Sequence, residues 1–369
     1  MKICLYSPYV PKHVGGGEKY FFDVARLLST EHRVQVAIPH FEGTPKAIQA
    51  VREKYEQFLG QSLAKIEFIS TPLNTTAPWW LKIAWTRQFD VLYYLTDGSL
   101  FFSLAKRNIL HIQIPFTTPK TSFSDRMKLQ NWQVKNTNSA FTKKIIEKNW
   151  HTKIDVVHWP MVDVGSELKA AGLKSDHKQK VILHVGRFFR QLHSKRQDVL
   201  VNIFKELLTL YPQQTKGWKL VLVGAVEDEA YAAEVKKRSQ GLPVEMYHNL
   251  NRQELLEWYA KASIYWHATG FGCDELAEPE KMEHFGISTV EAMAAGCIPI
   301  VINKGGQPEV LGESLASGLW NDESECIAKT ITVIQNEASQ TILKKAAREQ
   351  AATFGSAQFI DTLQKMITS

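Results

Sequence analysis

Short apolar runs alternate along the chain with longer stretches of helical spacing. In the first half, Lys2–Tyr6, Val34–Ile38, Ile66–Ile69, Val91–Leu95, Ile109–Ile112 and Val156–Val157 read as strands. In the second half, Val181–Val185, Leu220–Val223, Val244–Met246, Ile264–Trp266 and Cys297–Ile302 continue the series. Between the first two strands, Tyr20, Phe21, Val24, Leu27 and Leu28 lie at helical intervals over Lys19–Leu28. Helices are also predicted from near Ser194, over Glu227–Ser239, over Arg252–Lys261 and around Ala357–Ile367. Strand–helix alternation of this kind predicts an α/β chain with doubly wound parallel sheets.

Periodicity fades between about Pro160 and Lys180, where Gly165, Gly172 and several lysines fall. The expected division is therefore a first domain over 1–163, a linker over 164–179, a second domain over 180–352 and a terminal helix over 353–369. The run 78–87, P-W-W-L-K-I-A-W-T-R, is dense in tryptophan. It reads as a helix packed on the sheet, the alternative being contact with a membrane surface or a lipid.

Composition narrows the class without naming a function. The chain has 369 residues, enough for two domains, with 44% hydrophobic and 22% charged residues, a globular balance. A net charge of +6 suits a phosphate-bearing ligand or an anionic surface, but no dense Lys/Arg run points to nucleic acid. Four cysteines without C-x-x-C or clustered histidines indicate neither a disulfide framework nor a structural metal, a cytosolic pattern. No apolar stretch approaches a membrane span, and the strand-like start is not that of a signal peptide.

The richest chemistry lies between Glu283 and Gly306, E-H-F-G-I-S-T-V-E-A-M-A-A-G-C-I-P-I-V-I-N-K-G-G. On one unbroken helix Glu283 and Glu291 would stand ~12 Å apart along the axis. Gly286 instead allows a loop, with a helix expected from Ser288, whose Ser288-x-x-Glu291 has the form of a capping box. Such a loop presents backbone N–H groups and a carboxylate, suiting a polyhydroxylated or phosphorylated ligand. The plainer alternative makes Glu291 a cap and Glu283 a surface acid. The loop Gly15-Gly16-Gly17-Glu18 lies between strand and helix but is not G-x-G-x-x-G, so no dinucleotide fingerprint is read. His111 stands at the end of a predicted strand in L-H-I-Q-I-P-F, where open sheets bind ligands, yet it could equally be a hydrogen-bonded core residue. Arg187, after V-I-L-H-V-G, and Lys195 offer a fork and a point charge to phosphate, or are solvated bases.

The E-x7-E run resembles the donor-sugar signature of the retaining glycosyltransferases of family 4, which have the GT-B fold of two Rossmann-like domains facing a cleft. The match continues through Pro299 and the segment 305–310, G-G-Q-P-E-V. V-G-R…K-R-Q-D is similar to that family's diphosphate clamp, although the interval from Arg187 to Lys195 is longer than in commoner members and Arg196 stands where glycine is frequent. The resemblance implies roles for Glu283, His111, Arg187 and Lys195 in catalysis and for Gly15, Gly16, Gly17, Phe285, Gly286, Ile287 and Glu291 in donor binding, with no metal. It places Asn249–Gln253 against the nucleotide base and takes the last helix back to the first domain. It implies no cofactor but a nucleoside-diphosphate sugar, GDP-mannose favoured over UDP-hexose, and a saccharide or polyprenyl-linked acceptor, with peripheral membrane contact at the inner face. A nucleotide-sugar epimerase and a catalytically silent nucleotide-sugar-binding subunit are the alternatives on the same fold.

Overall fold

The computed structural model describes residues 1–12, 14–175, 177–191 and 193–368. The chain divides into two compact units, Met1–Met161 together with the chain from Ala357 onward, and Val162–Ser356. Among the described residues the first unit has strands β1 Lys2–Tyr6, β2 Arg33–Pro39, β3 Ile66–Thr71, β4 Val91–Leu95, β5 Arg107–Ile112, β6 Val134–Thr137 and β7 Val156–Val157. They form one parallel sheet in the order β3-β2-β1-β4-β5-β6-β7. The second unit has β8 Gln179–Val185, β9 Lys219–Gly224, β10 Val244–His248, β11 Ala262–His267, β12 Ile298–Ile302 and β13 Leu319–Trp320, also parallel, in the order β10-β9-β8-β11-β12-β13. Both are doubly wound sheets of the GT-B kind.

Strand periodicity sorts the first unit's core. Ile3 and Leu5 of β1, with Tyr93 and Leu95 of β4, pack on one face against Phe21, Val24 and Leu28. Cys4 and Tyr6, with Leu92 and Tyr94, face Trp132, Ile146 and Trp150 on the other. The terminal helix Ser356–Thr368 joins the first of these layers through Phe359, Leu363, Met366 and Ile367, at helical intervals. Arg107 Nε donates to Met366 O at 2.6 Å, which secures the last turn. In the second unit, Ile182, Leu222, Ile264, Trp266 and Ile300 meet Leu200, Ile203 and Phe204 of the helix Gln197–Leu210.

Several boundaries differ from expectation for local reasons. The stretch 164–179 carries the helix Val164–Ala170 and lies within the second unit. Glu167 takes a forked bond from Arg252, and half-buried Lys178 donates to Tyr259 O and Ala295 O at 2.9 and 2.7 Å. The helix expected from near Ser194 begins at Gln197, because Arg196 is left-handed (φ 53°) and turns the chain before it. Lys195 therefore precedes the helix. The helix after Gly286 spans Ile287–Ala294, and no side chain caps it, so the capping box does not form. β6, V-K-N-T, has a single apolar residue and no strand signature of its own. The tryptophan run does form a helix, Trp79–Thr86, but only Thr86 of it is buried. The packing reading holds for Trp85, which is partly buried against the core beside Phe89 with ring centroids 4.9 Å apart, but not for Trp79 and Trp80, which stand out from the sheet, 73% and 55% exposed. No described helix is long and apolar enough to cross a membrane.

Phe359→Ala should cost about 3–5 kcal/mol by opening a cavity in the first unit, whereas Trp80→Ser should change stability by less than about 0.5 kcal/mol. Urea unfolding of the two variants measures both, and similar losses would contradict the packing described.

Candidate functional site

Two groups of side chains collect at the carboxyl edges of the strands, one in each unit. In the second unit β11 ends at His267, whose Nε2 lies 3.0 Å from Glu283 Oε2. Lys195 Nζ reaches the same oxygen at 2.6 Å. Lys195 gets there because its stem crosses Gly186, where a β-carbon would lie 2.6 Å from Lys195 Cγ. Burial alone would push the Glu283 carboxyl up; the Lys195 charge and the His267 bond outweigh it and hold the carboxyl well below its usual range. Burial lowers the pKa of His267 against the pull of Glu283, so the ring is neutral and donates Nε2–H to the carboxylate.

The backbone around Glu283 is folded by glycine. The Gly305–Gly306 turn presses on it: a β-carbon at Gly305 would overlap Glu283 O, and one at Gly306 would meet Phe285 Cα at 2.6 Å. Gly306 N–H donates to Glu283 O at 2.7 Å. Gly286 (φ 116°) turns the chain into the helix Ile287–Ala294 under buried Gln307, whose Nε2 has no partner among the described residues. Phe285 is buried against Phe354, while the N–H groups of Phe285, Gly286 and Ile287 have no partner among the described residues. These donors open a helix whose positive end favours an oxygen-rich ligand.

Glu291 is neither a cap nor a surface acid. It is buried, accepts from Tyr259 Oη at 2.8 Å and pairs with Arg252 at 2.8 Å. Arg252 opens the helix Arg252–Lys261 behind a complete Asn251/Glu254 capping box. The Asn249–Gln253 loop and Glu291 are thus joined by a direct contact. Arg187 does not touch Glu283. Its guanidinium forks onto Glu227 at 2.8 and 3.1 Å and donates to His193 Nε2 at 3.0 Å. With Arg187 and Glu227 each more than a third exposed, that pair stabilises little and is easily exchanged.

In the first unit Gly15–Gly17 enters the helix Gly16–Leu28, and the N–H groups of Gly16 and Gly17 have no partner among the described residues. Gly17 is set by Gln113, whose amide occupies the space a β-carbon would take. Asn138 Nδ2 holds Gln113 O at 3.2 Å, and Ser139 caps the next helix. His111 is fully buried and stacked on Tyr20 with ring centroids 4.0 Å apart. Asn136 Nδ2 donates to Leu110 O, so its Oδ1 faces His111 Nδ1, at 2.5 Å, and that nitrogen carries the proton. His111 Nε2 is left as an acceptor without a partner among the described residues. Burial, against the Asn136 bond, lowers the pKa of His111 to about 3.

The support of that ring also has a determined sense. His158 Nε2–H donates to Phe359 O at 3.0 Å, so Nδ1 accepts from Tyr20 Oη at 2.5 Å. Tyr20 Oη, 2.6 Å away, then accepts from Tyr93 Oη. Sequence reasoning missed Tyr20, Asn136, His158, Gln113 and Arg252. Gln113 lies in the segment quoted for His111 and Arg252 in the loop assigned to the base, but no spacing shows what each side chain reaches.

Among the described residues no three His, Cys, Asp or Glu side chains converge as a metal site.

Two outcomes follow for stability. His111 is neutral in the fold and, at its ordinary 6.5, binds a proton more readily when unfolded. Its contribution is therefore full above about pH 6.5 and lost as pH falls toward 3, by roughly 1.4 kcal/mol per pH unit. Replacing it, as in His111→Gln, should lessen the slope of urea-derived stability against pH across that window, to which buried His158 and His184 also contribute. Tyr20→Phe keeps the stacked ring but leaves His158 Nδ1 without its donor, at a cost of about 1–3 kcal/mol in the same assay.

The comparisons with known proteins bear on these groups. The family described as "Glycosyl transferases group 1" matches residues 166–350, half of the chain. Among curated relatives, a Neurospora crassa protein named GDP-Man:Man(3)GlcNAc(2)-PP-Dol alpha-1,2-mannosyltransferase is 26% identical over 63% of this chain and 45% of its own length. One of the same name from Dictyostelium discoideum is 26% identical over 62% and 46%. The chain thus spans about half the length of these relatives. A sulfoquinovosyl transferase of Arabidopsis thaliana is 20% identical over 94% of this chain and 69% of its own. In fold, a glycosyltransferase of Rickettsia africae (TM-score 0.70, 15% identity) covers 100% of this chain and 99% of its own. Anabaena HepE, solved with UDP (TM-score 0.69, 16% identity), covers 100% of each. The family match takes in Arg187, Lys195, Glu283 and Glu291 together, and the chain belongs to the group 1 glycosyl transferases.

Proposed function

We propose that this chain is a retaining hexosyltransferase of family 4 that moves a mannosyl group from GDP-mannose to a saccharide or lipid-linked saccharide, without a metal, at the cytoplasmic face of a membrane. The observation that carries the reading is the Lys195–Glu283–His267 cluster beside the N–H groups of Phe285, Gly286 and Ile287. The names of the Neurospora and Dictyostelium relatives support GDP-mannose as donor over a UDP-hexose.

In this reading Glu283 accepts from hydroxyls of the transferred sugar, and the three N–H groups orient it. Glu291 accepts from the ribose hydroxyls, its carboxylate held in place by Arg252 and Tyr259. Lys195 and Arg187 neutralise the leaving diphosphate, Arg187 exchanging its exposed Glu227 contact for phosphate oxygens. In the first unit, by the same family resemblance, Gly15, Gly16 and Gly17 offer backbone donors to phosphate oxygens, and His111 Nε2 accepts from a sugar hydroxyl. The bond from the anomeric carbon to the diphosphate breaks while that to the acceptor oxygen forms on the same face. The acceptor's proton passes to a departing phosphate oxygen, so no side-chain base is required.

The test is a thermal-shift panel of GDP, UDP, ADP and their sugar conjugates on the wild type and Arg187→Ala. At a hundredfold excess over Kd the true nucleotide should stabilise by about 2.7 kcal/mol, and the shift should shrink in the variant. No shift with any of them, from folded protein, would overturn the donor site. Turnover of GDP-mannose should persist in EDTA and fall roughly 10²-fold or more in Glu283→Gln; binding without any turnover would leave a silent binding subunit.

A further inference from the structure

The stretch that parts Arg187 from Lys195 carries two residues to which the donor site gives no task, Phe189 and His193. The backbone of Arg187 is fixed without them. Phe188 is fully buried and donates its N–H to Ala225 O at 2.8 Å, and Gln197 Nε2 donates to Gly186 O and Arg187 O at 2.9 and 3.1 Å. These bonds leave the long side chain to be set, and ordering it costs rotamer entropy. Phe189 and His193 do so. The guanidinium carbon lies over the Phe189 ring, 5.2 Å from its centroid, and Nη2 donates to His193 Nε2 at 3.0 Å. Nη1 goes instead to the two oxygens of Glu227, at 2.8 and 3.1 Å. One arm of the fork is thus held by the stretch itself, and the other by an exposed carboxylate that a phosphate can replace.

The chemistry of the inner acceptor matters. Arginine has only hydrogens to give, so His193 Nε2 accepts and Nδ1 carries the proton. That Nδ1 is buried, with no partner among the described residues. Burial, with the charges of Lys195, His284 and Arg187, outweighs the pull of Glu283 and lowers the pKa of His193 to about 3, so the ring is neutral. A carboxylate in its place would orient the guanidinium and cancel its charge. A neutral imidazole orients it and leaves the charge for the ligand. The ring also borders the chain that carries Glu283, its centroid 5.6 Å from that of His284. Arg187 does not touch Glu283, but His193 stands next to both segments.

We propose that His193 is a positioning residue for the bound diphosphate: it holds Arg187 Nη2 so that Nη1, with its charge undiminished, meets phosphate oxygens once Glu227 is displaced. The inference rests on the donor site proposed above and deepens it, because it makes the long stretch between Arg187 and Lys195 the support of the clamp. It is tested by titrating the whole chain with GDP, UDP, guanosine and uridine. The variants are Arg187→Ala, His193→Ala, His193→Gln, His193→Glu and Arg187→Ala combined with His193→Ala.

For the diphosphate that binds the wild type, His193→Ala should raise Kd roughly tenfold, while the corresponding nucleoside should lose less than about twofold. The double variant should bind no worse than Arg187→Ala, since both residues act through one contact. His193→Gln, whose amide oxygen can take the place of Nε2, should recover most of the affinity. His193→Glu reaches as far but adds a negative charge, and should not. Equal binding of the diphosphate by His193→Ala and wild type would overturn the inference. So would additive losses in the double variant, a loss shared by the nucleoside, or equal recovery by glutamine and glutamate. Should His193→Ala not fold, the glutamine and glutamate variants carry the same comparison. A folded wild type that binds neither diphosphate would instead overturn the donor site, and this inference with it, so the wild-type titration tells the two failures apart.

Discussion

A carboxylate taken most of the way out of water must be met by charge or by hydrogen bonds, and Glu283 imposes that requirement on the second unit. Lys195 meets it from one side and His267 from the other. Lys195 can arrive only because Gly186 leaves room for its stem and because left-handed Arg196 postpones the next helix. The loop carrying Glu283 holds its course because Gly305 and Gly306 bring a second backbone against it. Three separate stretches of chain are thus committed to one oxygen atom. Removing Lys195 alone would strand the negative charge, a larger penalty than the loss of one contact.

Much of the architecture was legible because parallel strands buried on both faces are written as short unbroken apolar runs. β1, β4 and β5 needed nothing further. β6 was invisible because its ladder bonds, and not its side chains, make it a strand. The segment 164–179 lacked periodicity yet is folded, since its attachments are Glu167 to Arg252 and Lys178 to two carbonyl groups, each 81 or more positions away. Apolar density in the run Trp79–Thr86 pointed to burial, and density cannot tell a side chain facing the sheet from one facing outward.

The site residues divide in the same way. Glu283, Glu291, Arg187 and Lys195 stood out by type and spacing, but their partners did not. Glu291 looked like a cap because Ser288-x-x-Glu291 has the pattern, while Ser288 instead bonds Tyr265 and the carboxylate turns to Arg252. His111 looked isolated because Tyr20 and Asn136 reach it from other elements, 91 and 25 positions away in the chain, with His158 bonded to Tyr20 behind it.

The sense of the bonds behind His111 has a consequence of its own. Tyr93 gives its hydrogen to Tyr20, Tyr20 to His158, and His158 to the carbonyl of Phe359. Every donor points away from His111, and the last acceptor has no hydrogen to return. The chain therefore cannot act as a proton wire: a proton reaching His111 from this side would require every link to reverse. What it can carry is displacement. A shift of the terminal helix would move the Phe359 carbonyl, then His158, then the ring that lies flat on His111, and would reach the imidazole as a mechanical strain with no change of charge.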